Sequence, residues 1–222
     1  MRNFLRNNRG LLLFMLCLGL FRTAIADWNP VPTGSMRPTI LEGDVVLVNR
    51  LAYDLKIPLT DYSLAQLGEP ERGDIVTFSS PKDGTRLIKR IVGLPGDRIE
   101  IRNNVLSVNG KPADYVDTQW VSEDVGGGRF VQASRWSETF DASSHRVQFL
   151  PYPGARADFG PLTVPADHYF MMGDNRDNSE DSRYIGCVPR KLLIGQAGHI
   201  LVSADIKHDW QPRLDRSFSR LR

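Results

Sequence analysis

Residues 87–110 read LIKRIVGLPGDRIEIRNNVLSVNG, and this stretch contains three short runs rich in β-branched residues. The runs at 87–92, 98–101 and 105–108 are separated by Pro-Gly-Asp and by Asn-Asn, and Asn-Gly follows the third run. These separating residues favour tight turns, and short β-branched runs between turns are typical of strands. The stretch therefore predicts short β-strands joined by tight turns.

The same pattern begins earlier in the chain, with runs at 45–48 and 75–78 that each follow a Gly-Asp pair. No long stretch after residue 30 keeps a helical hydrophobic period. The segment at about 112–161 is rich in Gly, Ser and aromatic residues, and we interpret it as an insertion in the β-core. Four of its aromatic side chains are expected in the protein core, with contact to a bilayer as the alternative: Trp120, Phe130, Trp136 and Phe140.

Length and charge narrow the class of protein. The chain has 222 residues and a formal net charge of +2, so one main globular domain is expected. Its 28 Lys and Arg residues are nearly balanced by 26 Asp and Glu residues, which gives no basic footprint for nucleic acid. We therefore expect no nucleic-acid partner. Cys17 and Cys187 stand far apart in the sequence, and no disulfide is expected between them.

The N-terminus predicts export of the rest of the chain. Arg2, Arg6 and Arg9 precede a run without ionic residues at 10–21, and basic residues before an apolar run indicate a cytoplasmic start. The run is shorter than the roughly 20 residues of a spanning helix, and Ala24-Ile25-Ala26 resembles a signal-peptide cleavage site. Residues 1–26 are thus either a removable signal peptide or a retained membrane anchor, and we expect the anchor.

Ser35 and Lys89 are the residues whose surroundings suggest catalysis. Ser35 lies in the segment PTGSMRPT, and a serine hydroxyl needs a neighbouring base to become a good nucleophile. Alternate strand residues share a face, so Lys89 lies with the aliphatic Leu87 and Ile91. Desolvation can lower a lysine pKa from about 10.4 to about 7, which suits a general base. Although most strand lysines are solvated, this pattern predicts a serine nucleophile with a lysine base.

A third polar segment, residues 173–183, reads GDNRDNSEDSR. A calcium loop would need glycine at its sixth position and a closing glutamate, and neither requirement is met from Asp174 or Asp177. Four acids and two arginines in so short a run instead predict an internally paired network that makes the loop rigid. Ser179 and Ser182 are candidates to orient another group.

Five ordered blocks carry a resemblance to a known family. They read SMRPTI at 35–40, GDVVLVN at 43–49, RGDIV at 72–76, KRIVGLPGD at 89–97 and GDNRDNSEDSR at 173–183. In these blocks the chain resembles the bacterial type I signal peptidases, also called leader peptidases. These are membrane-bound Ser-Lys serine peptidases that release signal peptides from exported preproteins. One block alone would be weak, but five in order are specific.

The resemblance implies roles for individual residues. Ser35 is expected as the nucleophile, Lys89 as the general base, and the Ser35 backbone N–H with the Thr33 hydroxyl as the oxyanion site. The lysine-orienting and supporting residues are expected to be Ser179, Asp181 and Arg183. Shallow apolar pockets that accept Ala-x-Ala are expected to be lined by Val31, Ile40, Leu87 and Ile88. No metal and no organic cofactor is expected.

The resemblance also implies the architecture and the location. The fold class is all-β, with a catalytic core of coiled antiparallel sheets, a β-rich insertion and one preceding N-terminal membrane helix. Residues 27–222 would form an extracytoplasmic peptidase domain, held by a single pass in the cytoplasmic (inner) membrane. The implied partners are exported preproteins and the phospholipid membrane. A specialised maturation peptidase of a conjugation or secretion system is an alternative, and a non-enzymatic periplasmic β-adaptor is a more distant one.

Overall fold

The computed structural model describes residues 8–60, 62–126, 128–140, 143–152, 156–207 and 209–221. Their strands form four antiparallel sheets. The largest has seven strands in the order β1 (Ala26–Pro30), β2 (Asp44–Asn49), β16 (Leu193–Ser203), β5 (Ile75–Ser79), β6 (Arg86–Gly93), β14 (His168–Met172) and β15 (Val188–Pro189). This confirms the predicted all-β class with antiparallel sheets.

Smaller sheets and short helices complete the described chain. The four-stranded sheet has the order β13 (Phe159–Thr163), β7 (Arg98–Arg102), β8 (Val105–Val108) and β9 (Lys111–Pro112). The three-stranded sheet consists of β10 (Asp114–Asp124), β11 (Phe130–Phe140) and β12 (Ser143–Phe149), and a two-stranded sheet of β3 (Asp54–Lys56) and β4 (Ser63–Gln66). The helices are α1 (Arg9–Ala24), α2 (Ser182–Ile185) and a 3₁₀ turn at Arg190–Leu192.

The opening stretch of the sequence folds as its turn residues predict. Its three runs are β6, β7 and β8, and the last two pair with Arg102 opposite Val105. Asn103 and Asn104 between them have φ of 48° and 65°. Two consecutive positive φ values belong to a turn whose twist matches that of a β-hairpin, and asparagine tolerates them.

The seven-stranded sheet curls so that β6 approaches β1. Three strands separate β1 from β6 in the order of the sheet. Nevertheless, Arg86 at the start of β6 donates to Asp27 at 3.0 Å and to Asn29 at 2.7 Å, and both acceptors belong to β1. The loop that follows β1 is thereby brought close to β6.

Two clusters of buried side chains hold this curled sheet. The cluster named here the β2 cluster contains Val31, Met36, Ile40, Val46, Val48, Ile75, Ala197, Ile200 and Leu221. The β5 cluster contains Tyr53, Val76, Phe78, Ile91, Tyr169, Met171, Val188 and Leu193. Full burial of one such aliphatic side chain contributes roughly 1.5–3 kcal/mol, so the loop residues Met36 and Ile40 are firm anchors.

The insertion at 112–161 contains the separate three-stranded sheet, as its β-rich character predicts. Phe140 lies in the core as expected and Trp136 is half-buried. The expectation is wrong for Trp120 and Phe130, which are 68% and 63% exposed. Both lie on the first two strands of the small sheet, where their side chains have no covering layer. Gly127 of this segment lies outside the described residues.

The leader contains helix α1, and none of its residues is buried. At its C-terminal end, Arg22 donates to Asp27 at 2.8 Å, and its guanidinium lies 4.7 Å from the ring centre of Trp28. Arg2 and Arg6 fall outside the described residues. Within the described ranges, no helix has both the length and the apolar character needed to cross a membrane. The membrane anchor at 1–26 therefore stays a prediction.

Candidate active site

The loop between β1 and β2 carries Ser35 and is fixed by its neighbours in sequence. Met36, which follows Ser35, is fully buried in the β2 cluster, as is Ile40. Ile40 N–H donates to the Met36 carbonyl at 2.9 Å, and Arg37 N–H donates to the Gly34 carbonyl at 3.1 Å. The loop is therefore a turn anchored by its apolar side chains, and the polar Ser35 is held at its start.

Lys89 lies on β6 and contacts Ser35 directly. Its side chain is 2% exposed, and Nζ donates to Ser35 Oγ at 2.6 Å and to the Ile88 carbonyl at 2.9 Å. Burial lowers the pKa of Lys89 from 10.5 to about 8, while nearby carboxylates, of which Asp181 acts most strongly, limit the shift. With a pKa of about 8, roughly a tenth of the amine is neutral at pH 7. The arrangement can therefore transfer a proton between a hydroxyl and an amine.

A potential oxyanion donor lies at the same residue. The Ser35 N–H donates to no acceptor in the described chain, whereas the Ser35 carbonyl accepts from Asn175 N–H at 3.1 Å. Thr33 is exposed two residues earlier, so its hydroxyl is accessible to a ligand. Both groups could donate to a negatively charged oxygen bound beside Ser35.

Two acids of the loop at 173–183 form buried ion pairs behind Lys89, one with Arg183 of the same loop and one with Arg90 of β6. Arg183 makes a two-pronged contact with Asp181, at 2.8 Å for each nitrogen–oxygen pair, and Asp181 also accepts from Gly173 N–H at 3.1 Å. Arg90 holds Asp174 in the same way, at 2.8 and 2.7 Å. Burial alone would raise the pKa of Asp174, but the charge of Arg90 lowers it overall. Only the Arg183–Asp181 pair is internal to the loop, because Asp174 pairs with Arg90, and Arg176 pairs with Glu138 of the three-stranded sheet. The prediction of an internally paired network is therefore confirmed for Asp181 and Arg183 alone.

The sequence of the chain is similar to those of known proteins. A family model described as "Signal peptidase, peptidase S26" matches residues 5–202. The chain belongs to this signal peptidase family. The signal peptidase I of Pseudomonas fluorescens is 34% identical over 220 residues, which cover 91% of this chain and 72% of the relative. The signal peptidase I of Pseudomonas aeruginosa is 35% identical over 196 residues, which cover 83% of this chain and 67% of the relative.

A solved structure is also similar to this member of the signal peptidase family. It is the crystal structure of a signal peptidase I from Enterococcus faecalis, at 32% sequence identity. The match covers 58% of this chain and 96% of the other, with a TM-score of 0.35. A TM-score of this size supports no statement about the fold, which is established by the strands above.

Ser179 does not make the contact expected of it. The Ser179 hydroxyl is buried and has no hydrogen-bond partner within the described ranges, while the Lys89 amine donates to Ser35 and to its neighbour's carbonyl. A Cβ on Gly173 would collide with Ser179 Oγ and with the Ser35 carbonyl oxygen. Glycine at 173 therefore allows Ser179 to pack beside the Ser35 backbone, but the predicted hydrogen bond to Lys89 is not formed.

The four expected pocket residues divide between two clusters. Val31 and Ile40 are buried in the β2 cluster, and the half-buried Ile88 packs against them. Leu87 instead packs against the β5 cluster. Three of the four thus pack together in the cluster that contains Met36, the residue after Ser35.

Sequence reasoning missed Arg90 and Asn175 as parts of this site. The pairing of Arg90 with Asp174 spans 84 positions of sequence. Asn175 was included only within the polar run at 173–183. The one sequence signal for Asn175 was its place directly after an acidic residue in that run.

Proposed function

We propose that the protein is a membrane-bound serine endopeptidase that removes N-terminal signal peptides from exported preproteins after small-x-small sites. Ser35 is the nucleophile and Lys89 the general base. The 2.6 Å contact between Lys89 Nζ and Ser35 Oγ, in a chain of the signal peptidase family, carries this proposal. The relatives named signal peptidase I support the substrate class.

The reaction proceeds in two halves. Neutral Lys89 takes the proton of Ser35, Ser35 Oγ adds to the scissile carbonyl carbon, and the new oxyanion accepts from the Ser35 N–H and the Thr33 hydroxyl. Lys89 then gives its proton to the leaving amine, and an acyl-enzyme remains on Ser35. Lys89 then takes a proton from a water molecule as the water oxygen adds to the ester carbonyl carbon, and it returns this proton to Ser35 Oγ as the ester bond breaks. Neither a metal nor an organic cofactor takes part.

The two ion pairs keep Lys89 weakly basic. Asp181 and Asp174 both raise the pKa of Lys89, so a bare carboxylate at either position would favour the protonated amine. Arg183 and Arg90 each offset one of these charges at hydrogen-bonding distance. We assign the ion pairs the role of keeping a useful fraction of Lys89 neutral near pH 7.

Substrate selection depends on side-chain size. The apolar side chains of Val31, Ile40 and Ile88 pack together with Met36 of the Ser35 loop, and Leu87 packs against the β5 cluster. Shallow pockets lined by these side chains would accept small side chains and exclude large ones sterically. This fits substrates with alanine on both sides of a variable residue before the cleaved bond.

Membrane attachment by α1 completes the proposal. Apolar side chains cover this helix and none is buried, while Arg22 and Trp28 contact each other at its end, as interfacial residues do. A retained single-pass anchor in the inner membrane would keep Ser35 on the extracytoplasmic side, close to the bilayer. Tethering raises the effective concentration of membrane-bound substrate.

The test is cleavage of a purified preprotein in detergent, followed by N-terminal sequencing of the product. Wild-type protein should release a mature protein whose sequence begins directly after a small-x-small site. Ser35→Ala should not cleave, and Ser122→Ala, which changes an exposed serine, should cleave normally. Cleavage at unrelated sites, or equal activity of Ser35→Ala, would contradict the proposal.

A further inference from the structure

Asn175 holds the backbone on both sides of Ser35. The residue is 1% exposed, and its side-chain Nδ2 donates to the Gly34 carbonyl at 2.9 Å. Its backbone N–H donates to the Ser35 carbonyl at 3.1 Å. The two carbonyls flank the Cα atom of Ser35. One buried residue therefore fixes two successive peptide groups of the nucleophile loop.

The bond to the Gly34 carbonyl also fixes the direction of the Ser35 N–H. A trans peptide group is planar, and its C=O and N–H point in opposite directions. Holding the Gly34 oxygen toward Asn175 therefore aims the Ser35 N–H away from Asn175. That N–H has no acceptor in the part of the chain that the structure describes. It is thus kept available for an acceptor that is not part of the fold.

The scaffold behind Asn175 is rigid. Gln148 of β12 donates its N–H to the Asp174 carbonyl at 2.8 Å, and its carbonyl accepts from Arg176 N–H at 2.9 Å. These bonds hold the residues on both sides of Asn175 to the three-stranded sheet. The orientation of the amide is also defined, because only Nδ2 can donate to a carbonyl oxygen. Asn175 Oδ1 is buried and accepts from no other described residue, so among these residues the side chain is bonded through Nδ2 alone.

We propose that Asn175 is a positioning residue that orients the Ser35 amide for stabilisation of the oxyanion. This rests on the proposed peptidase function, because an oxyanion forms only when Ser35 attacks a carbonyl. Asn175 touches neither the substrate nor Lys89 in this role. Its removal should weaken binding of the transition state and leave binding of the substrate unchanged.

The experiment measures kcat, KM and the pH profile of cleavage for Asn175→Ala and Asn175→Asp. Asn178→Ala is the matched control, since Asn178 is an exposed asparagine in the same loop. Loss of a direct oxyanion donor lowers kcat by about 10²–10³-fold. A donor that is still present but wrongly oriented should lower kcat by about 10–100-fold. For Asn175→Ala the KM should stay within about twofold of wild type, and the pH midpoint should not move, because the charges around Lys89 are unchanged.

Asn175→Asp keeps the size of the side chain, so it tests the same role if the alanine variant does not fold. Its carboxylate cannot donate and repels the Gly34 carbonyl, so its kcat should fall at least as far as that of Asn175→Ala. A peptide aldehyde that forms a hemiacetal with Ser35 should bind both variants more weakly, in proportion to the loss in kcat.

Several outcomes would overturn the inference. A wild-type kcat in either folded variant removes the positioning role. A loss shared by Asn178→Ala, or a raised KM or a moved pH midpoint in Asn175→Ala, would show general distortion of the loop instead. Failure of the proposed function is recognised separately, since the wild-type protein itself would not cleave a preprotein, and the inference then fails with it.

Discussion

Replacing Lys89 by methionine should make the protein more stable at neutral pH. Burial lowers the pKa of Lys89 from 10.5 to about 8, and this depression corresponds to about 3 kcal/mol of folding free energy at pH 7. The sign follows from proton binding. Between pH 8 and 10.5 the unfolded chain holds the lysine proton and the folded protein does not, so wild-type stability rises with pH there. Below pH 8, burial of the charged amine destabilises the folded protein by the full amount of about 3 kcal/mol, and above pH 10.5 this penalty is absent.

Methionine has a similar length and carries no charge, so Lys89→Met removes the penalty. The substitution also removes the hydrogen bonds from Lys89 to Ser35 and Ile88, each worth about 0.5–1.5 kcal/mol. This loss reduces the gain in folding stability by the same amount at every pH. The stability advantage of Lys89→Met over wild type should therefore fall by about 3 kcal/mol between pH 7 and pH 10.5.

Urea unfolding of the detergent-solubilised protein, followed by tryptophan fluorescence, measures this difference. Lys82→Met is the control. Lys82 pairs with Glu180 at 2.7 Å, but the two side chains are 59% and 56% exposed, so solvent screens the pair and the replacement should show no comparable pH dependence. An advantage of Lys89→Met that does not change between the two pH values would refute the reasoning that Lys89 is a desolvated amine.

Three further predictions concern the pH profile, one ion pair and the leader. Cleavage by wild-type protein should rise with pH around a midpoint near 8 as Lys89 loses its proton, and a midpoint near the ordinary lysine value of 10.5 would argue against a desolvated base. Arg183→Gln removes the ion-pair partner of Asp181 and should raise the pKa of Lys89, so cleavage should fall more at pH 7 than at pH 9.5. The control Arg129→Gln changes an exposed arginine and should cleave at the wild-type rate at both pH values. Intact-mass measurement of membrane-extracted protein should give a chain that retains residues 1–26, and a chain that begins at Asp27 would show a cleaved signal peptide.

Local sequence predicted the strands well because turn chemistry is local. The Pro-Gly-Asp and Asn-Asn turns separate β6, β7 and β8 at the expected positions. The order of the seven-stranded sheet could not be obtained in this way. The last strand, β16, inserts between β2 and β5, and such pairing depends on contacts more than 100 positions apart in sequence.

The candidate site shows the same difference between local and long-range contacts. Ser35 and Lys89 were paired by their chemistry, and the Asp181–Arg183 ion pair lies between near neighbours in sequence. The contact of Arg90 with Asp174 and that of Asn175 with Gly34 span 84 and 141 positions, and no pattern in one sequence reports them. Trp120 and Phe130 were expected in the core by composition, but exposure depends on which sheet face is covered.

The most direct test of the Ser35–Lys89 mechanism compares initial rates of preprotein cleavage by wild type, Lys89→Met and Lys82→Met at pH 8 in detergent. The mechanism predicts that Lys89→Met is folded and at least as stable as wild type at pH 7, yet cleaves about 10³-fold more slowly or not at all, because Ser35 has lost its base. Lys82→Met should cleave at the wild-type rate. A folded Lys89→Met that retains cleavage within tenfold of wild type would contradict the assignment of Lys89 as the general base.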